Sequence, residues 1–381
     1  MARFLHTADL HLGRTLYGER LLADQEAVLA QLTAHIDNHP PDALLLAGDV
    51  FDRSVPPAEA VDVLDQFLYA IAGERSIPVV MIPGNHDSAD RLGFGSRLLG
   101  AGRLHIVSSL QRASTPLLIE DEHGPIEIFG LPFLEPARVR EHLDNDEIRD
   151  HHSATAAMVE QICAKATAPR TVLVAHAFVR GGTVSDSERA LTIGGLDTVD
   201  ASVFSPFNYV ALGHLHRPQS AGLPQVRYSG SPLKYSASEV GHSKSFSAIE
   251  IGRDGDCTIE HIPVEAPRDL VRIEGTIENL LSAEHPASET DLVIARLLDK
   301  GPVHDAMSRL RAKWPHTLHI ERTHIEATAA TPLAGKDHRE LSIDELFTMF
   351  FSAVTSDEMS DAEVAVLNRV IDDLRTQDSL S

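Results

Sequence analysis

Cysteine is nearly missing from this sequence of 381 residues: Cys163 and Cys257 are the only two, and they lie in unrelated contexts that match no metal-binding spacing. A disulfide-stapled scaffold or a thiolate zinc site is thereby excluded, and a reducing, cytoplasmic setting is expected. No apolar run approaches the roughly 18 residues a membrane span needs, so no membrane association is expected. The Met-Ala-Arg start leads straight into a strand-like segment, with no apolar signal core and no small-residue cleavage site. Positive charge is scarce: 33 Lys and Arg stand against 56 Asp and Glu, a net charge of −23. That balance argues against a broad nucleic-acid surface unless bound cations or a partner offset it locally. What is abundant is histidine, 21 in all. Most must be ordinary solvated residues, so only histidines in a repeated structural context carry information.

The length predicts two or three domains. Up to about residue 265, short apolar runs alternate with helical patterns, the signature of an α/β domain. The runs are Arg3 to Thr7, Ala43 to Ala47, Val79 to Ile82, Thr171 to Ala175 and Tyr209 to Leu212, too short for helices and apolar throughout, as strands covered on both faces are. Leu21, Leu22, Val28, Leu29, Leu32 and Ile36 predict one amphipathic helix, and Val61, Leu64, Phe67, Leu68 and Ile71 a second that stops at Gly73. Phe246 to Ile251 and Thr258 to Ile262, joined by Arg253-Asp254-Gly255-Asp256, predict a closing hairpin. The expected domains are 1–265, a smaller α/β domain over 268–325 with strands at Leu270 to Thr276, Leu292 to Leu298 and Thr317 to Glu321, a linker over 326–339, and a helical pair over 340–376. Each of those two helices begins with a Ser-x-x-Glu capping box, Ser342 with Glu345 and Ser360 with Glu363.

Each of the five runs in the large domain ends in residues able to ligate a metal. The first leads into Asp9-Leu10-His11, the second into Gly48-Asp49-Val50-Phe51-Asp52, the third into Gly84-Asn85-His86-Asp87, the fourth into His176 and the fifth into Gly213-His214-Leu215-His216. Ligands of α/β sheets bind outside the carboxyl ends of the strands, so these groups can converge across more than 200 residues of sequence. Any one of the motifs is a common turn, but five in the same structural position are not. Mixed carboxylate, amide and imidazole ligation favours manganese, iron or zinc over magnesium.

This ordered set resembles the calcineurin-like metallophosphoesterase superfamily, a helix-flanked β-sandwich. His6 to Gly13, Ala47 to Asp52 and Tyr228 to Leu233 are similar, more narrowly, to the SbcD family, the nuclease subunits of bacterial SbcCD complexes and relatives of the archaeal and eukaryotic double-strand-break-repair nucleases. The resemblance implies two divalent metal ions, Mn2+ by preference. One would be held by Asp9, His11, Asp49 and His216, the other by Asp49, Asn85, His176 and His214, with Asp49 bridging. It implies a bridging water as nucleophile, and His86 as a catalytic residue that ligates no metal and serves the leaving oxygen, with Asp87 as its orienting partner. The archaeal and eukaryotic relatives carry a second catalytic histidine where this chain has Asp52, which leaves the role of that position open.

A metal site alone does not choose among phosphoesters. The resemblance implies a 3'-5' exonuclease and endonuclease acting on DNA ends and hairpins in DNA repair, recombination and replication; a phosphodiesterase of small nucleotides is the alternative, and a binding scaffold is disfavoured because no ligand position is missing. The resemblance also implies that the small domain caps the site, that the C-terminal helices dock on the SbcC ATPase, and that two copies assemble in a heterotetramer. The faces carrying Ile343, Leu346, Phe347, Phe350, Phe351 and Val354, and Val364, Leu367, Val370, Ile371 and Leu374, suit such docking. Residues 340–381 hold ten acidic residues against Arg369 and Arg375, a balance that fits a protein partner better than DNA. DNA contact is expected from the metals and from Arg14, Arg53, Arg91 and Lys234.

Overall fold

The computed structural model describes residues 1–100, 103–188, 198–282, 285, 287–322, 342–355 and 359–378. The expected linker, 326–339, lies outside the described residues. The chain divides into two compact units, Met1–Asp269 and Leu270–Ser381.

In the first unit the elements are β1 (Ala2–Thr7), α1 (Leu22–Asn38), β2 (Ala43–Ala47), α2 (Ala58–Leu68), β3 (Val79–Ile82), β4 (Leu104–Ile106), β5 (Leu117–Asp121), β6 (Gly124–Leu131), α3 (Pro136–Leu143), α4 (His151–Cys163), β7 (Arg170–His176), β8 (Tyr209–Gly213), β9 (Gln219–Ala221), β10 (Leu223–Tyr228), β11 (Ser245–Ile251) and β12 (Cys257–Pro263). They form two six-stranded sheets, β12-β11-β1-β2-β3-β4 and β9-β10-β8-β7-β6-β5. The five predicted runs are the parallel heart of both: β1, β2 and β3 pair in parallel in one, β7 and β8 in the other. Alternate residues explain why these runs are apolar throughout. Phe4, Ala43, Leu45, Val80 and Ile82 pack against Ile126, Val172, Val174 and Ala211 between the sheets. On the far side of the second sheet Leu173, Ala175, Val210 and Leu212 pack with Val139, Met158, Val159 and Ile162 of α3 and α4. Each of the larger side chains among them, fully buried, contributes roughly 1.5–3 kcal/mol. The helix-flanked β-sandwich is therefore the fold.

Two local features differ from expectation. Gly73 does not stop the second helix: α2 continues as a π-helical turn over Tyr69–Glu74, and the ring of Tyr69 lies where a Cβ at Gly73 would sit. The β5–β6 hairpin has no counterpart among the expected elements, although β6 pairs with β7 over most of its length. The closing hairpin forms as predicted, with Gly255 at φ +83° in its turn.

The second unit holds β13 (Leu270–Gly275), α5 (Ile277–Ser282), β14 (Leu292–Leu297), α6 (Ala306–Arg311), β15 (Thr317–Arg322), α7 (Ile343–Thr355) and α8 (Asp361–Asp378). Its three strands are parallel in the order β13-β14-β15, and Ile273, Val293 and Ala295 pack with Leu280, Leu310 and Trp314. At the start of α7 the Glu345 carboxylate accepts the backbone N–H and the hydroxyl of Ser342, and Glu363 does the same for Ser360 at α8. Of the expected docking faces, Ile343, Phe347, Phe350, Val364 and Val370 are exposed, whereas Ile371 is buried. Among the described residues no helix is long and apolar enough to cross a membrane.

Candidate metal centre

Past their last paired residues, β1 and β2 continue side by side. Asp9 N–H donates to Gly48 C=O (3.0 Å) and His11 N–H to Asp49 C=O (2.9 Å), so the Asp9 and Asp49 loops leave the sheet together. Gln25 of α1 ties this turn down, donating to the carbonyls of Leu10 (2.9 Å) and His11 (2.7 Å). The second sheet is joined to the first by buried groups. His6 Nε2 meets Leu212 C=O at 3.2 Å, and the Asp9 carboxylate accepts the backbone N–H of His214 at 2.9 Å. Burial pushes His6 down to about 3, so its ring is neutral, with one nitrogen to donate and one to accept.

The backbone here is strained. Asp9 (φ +54°), His11 (+43°), Asp49 (+47°) and His214 (+113°) all lie in the left-handed region, which side-chain-bearing residues adopt only when their surroundings impose it. Space is tight as well: a Cβ on Gly84 would run into the Asp49 carboxylate, and one on Gly213 into Ala47 C=O.

The seven predicted ligand residues come together. His11 Nε2 and His216 Nε2 are 3.1 Å apart. Asn85 Oδ1 is 3.0 Å from both His176 Nε2 and His214 Nδ1. Asp49 stands between these groups, its Oδ2 3.7 Å from His11 Nε2 and 3.5 Å from His176 Nε2. Asp9, His11 and His216 form one cluster with metal-ligand spacing, and Asp9, Asp49 and His176 another.

The donor set suits cations. Burial first, and then the neighbouring imidazoles, hold His11 and His214 well below the usual histidine range, and burial lowers His176 and His216 too. Four neutral rings thus offer lone pairs at one place. Burial, with the charge of Asp49 beside it, pushes Asp9 well above the usual carboxylate range. A buried cation would relieve that crowding of negative charge. His11 Nδ1 and Asn85 Nδ2 are buried without hydrogen-bond partners.

His86 lies beside the cluster, its ring edge-on to that of His11 with centroids 4.7 Å apart. Its backbone N–H donates to Asp49 Oδ1 (2.8 Å), and its Nδ1 meets Asp52 C=O at 2.9 Å, which fixes the proton on Nδ1 and leaves Nε2 as the other ring nitrogen. Asp87 does not orient this ring, contrary to expectation. Its carboxylate accepts the backbone N–H groups of Val50 (3.0 Å), Phe51 (2.9 Å) and Gly84 (2.9 Å), clamping the Asp49 loop to the Asn85 loop. Burial, and then Asp49, push it up to about 7. Asp52 takes over the orienting task through its carbonyl, while its carboxylate pairs with Arg14 at 3.1 Å.

Of the expected basic contacts, Arg14 and Arg53 line a cleft with Arg20 and share the Asp52 carboxylate at 3.1 and 3.7 Å, and Lys234 is paired with Asp269 at 2.8 Å. Arg91 lies in the wall of a different, apolar groove. Sequence reasoning missed Gln25, Ser187, Glu188, Glu239 and Lys244, all of which hold the loops or ligands in place. Only Gln25 had a signal, a polar residue that stands with Asp24 on the mostly apolar buried face of α1.

Residues 2–218 match the calcineurin-like phosphoesterase family, and residues 266–355 match a family described as the type 5 capsule protein repressor C-terminal domain. The chain is 31% identical over 375 residues to the D subunit of the nuclease SbcCD from Staphylococcus epidermidis, a match covering 97% of this chain and 99% of that one. Among solved structures it is similar to the protein TT1561 of Thermus thermophilus, with a TM-score of 0.38 and 12% identity over 68% of this chain and 98% of that one. A putative 5'-nucleotidase from Staphylococcus aureus gives a TM-score of 0.38 and 11% identity over 70% of this chain and 55% of that one.

Proposed function

The chain belongs to the calcineurin-like phosphoesterases and, within them, to the family of SbcD nucleases, and from that premise we propose that it is a metal-dependent DNA nuclease working with an SbcC-type ATPase in repair and recombination. The observation that carries this reading is the meeting of five strand ends around Asp49. Asp9, His11, Asp49 and His216 would hold one divalent ion, and Asp49, Asn85, His176 and His214 the other, manganese by preference. Two such ions would supply an acidified water as nucleophile and positive charge for the attacked phosphate. His86 supplies its Nε2 to the leaving oxygen, because Nδ1 is committed to Asp52 C=O. The cleft lined by Arg14, Arg20 and Arg53, about 350 Å³ in volume, offers cations to the phosphates of a nucleic-acid strand beside the centre. Such local charge reconciles DNA binding with an acidic chain.

Cleavage of hairpin-ended duplex DNA, compared with hydrolysis of a small aryl phosphodiester, tests this function. With manganese and the ATPase present, the hairpin is opened and its end degraded. Hydrolysis of the small ester with no cleavage of DNA under any of these conditions would make the protein a small-molecule phosphodiesterase.

The two terminal helices are the docking element for the ATPase. Ile343, Phe347 and Phe350 present an apolar face to solvent. Burying one such side chain contributes roughly 1.5–3 kcal/mol, so Phe347→Asp with Phe350→Asp abolishes co-purification with the partner. Metal content and small-ester hydrolysis persist in that variant. Retained co-purification would place the partner elsewhere.

A second exposed patch suits a second copy of the chain. Val55, Val61, Tyr69, Phe94, Leu98 and Leu99 are exposed around an apolar groove of about 710 Å³. Phe94→Glu with Leu98→Glu shifts the sedimenting species from dimer to monomer; an unchanged mass would remove this face from the assembly. The two free cysteines, Cys163 and Cys257, fit the reducing cytoplasm.

A further inference from the structure

Behind one of the ligand histidines stands a charged group that the two-ion scheme does not use. His216 turns Nε2 toward His11, while its Nδ1 lies 2.8 Å from Ser187 Oγ and 3.2 Å from Glu239 Oε1. Glu239 is fully buried. The same oxygen accepts from the hydroxyls of Ser187 (2.5 Å) and Ser236 (3.2 Å), and the other oxygen accepts from Lys244 Nζ (2.5 Å). Lys244, itself buried, also donates to His216 C=O and to Ser231 Oγ, both at 2.8 Å. The backbone N–H of His216 goes to Glu188 Oε1 at 2.7 Å. One histidine is thus held at its ring, its carbonyl and its amide by three buried or half-buried charged residues.

Among the described residues no carboxylate stands behind the ring of His176 at the other ion position. His176 Nδ1 faces Ala47 C=O at 2.9 Å, a neutral acceptor, and Asn85 is a neutral ligand. A carboxylate accepting the outer N–H of a ligating imidazole fixes the tautomer and makes the inner nitrogen a stronger donor; a backbone carbonyl does this less. The net charge of the Glu239–Lys244 pair is close to zero, so its influence is local and directed along that hydrogen bond rather than a field felt equally by both ions.

On the two-ion reading above, we propose that Glu239 is a positioning residue that acts through His216 and makes the Asp9–His11–His216 position the tighter of the two. That position fills first, and the Asn85–His176–His214 position takes its ion second.

Manganese alone, titrated into the metal-stripped full-length protein and followed by calorimetry and by the manganese EPR signal, tests the assignment. The unaltered protein binds two ions in two resolved steps. In Glu239→Gln the first step weakens about 10- to 100-fold while the second stays within about twofold, because the outer partner of one histidine alone has changed. Should that variant fail to fold with Lys244 unpaired, Glu239→Gln with Lys244→Met removes both buried charges together and carries the same expectation. Unchanged affinities in the folded variant, or equal weakening of both steps, would overturn the positioning role, the latter because a general loosening of the fold spares neither site. Binding of fewer than two ions by the unaltered protein is a different failure: it overturns the two-ion reading, and this inference with it.

Discussion

Asp49→Asn abolishes hydrolysis and leaves the purified protein with fewer than two equivalents of metal. Asp49 is the side chain that approaches a histidine of each set, His11 at 3.7 Å and His176 at 3.5 Å. An amide in its place offers one oxygen instead of two and no charge, and its nitrogen has no lone pair to give. Both positions therefore weaken together. The variant is also a clean one, because position 49 lies at φ +47° and asparagine tolerates that region better than most residues. Metal analysis of the purified variant, alongside hydrolysis of a small aryl phosphodiester, is the measurement; full occupancy with full activity would refute the bridging assignment.

His86→Gln has the second-largest effect and the opposite signature. Both ions stay and the fold stays, while turnover falls by about 10²- to 10⁴-fold, the range general acid catalysis contributes. The separation follows from where the residue is anchored. Its amide holds Asp49 Oδ1 through the backbone, which the substitution leaves intact, and its ring is held at Nδ1 by Asp52 C=O. Loss of an ion in this variant would make His86 a ligand and reverse its role.

The five strands that carry the ligands are legible in the sequence because parallel strands covered on both faces are written as unbroken apolar runs, and because their exits fall at one edge of the two sheets. The strand Gly124–Leu131 is harder to see. Pro125 stands near its start, and Glu127 interrupts its apolar run, although that carboxylate is buried and accepts the N–H and hydroxyl of Thr167. Its exit carries no ligand to draw attention. The support of the site is less legible still. Glu239 and Lys244 read as surface residues in a polar loop, and nothing local says that they meet each other and His216 in the interior. Asp87 shows the converse error. Its place next to His86 in sequence suggests a partnership, but the carboxylate instead satisfies three backbone N–H groups of the two loops that present Asp49 and Asn85. Adjacent residues in a turn point in different directions, and orphaned backbone donors take precedence over a neighbouring ring.

Anomalous diffraction from a crystal equilibrated with manganese tests the two-ion centre most directly. Two peaks are predicted, one on each side of the Asp49 carboxylate and about 3.5–4 Å apart, the separation two-ion hydrolytic sites adopt. One should lie within the Asp9, His11 and His216 group, and the other within the Asn85, His176 and His214 group. A single peak, or manganese bound away from Asp49, would contradict the centre itself.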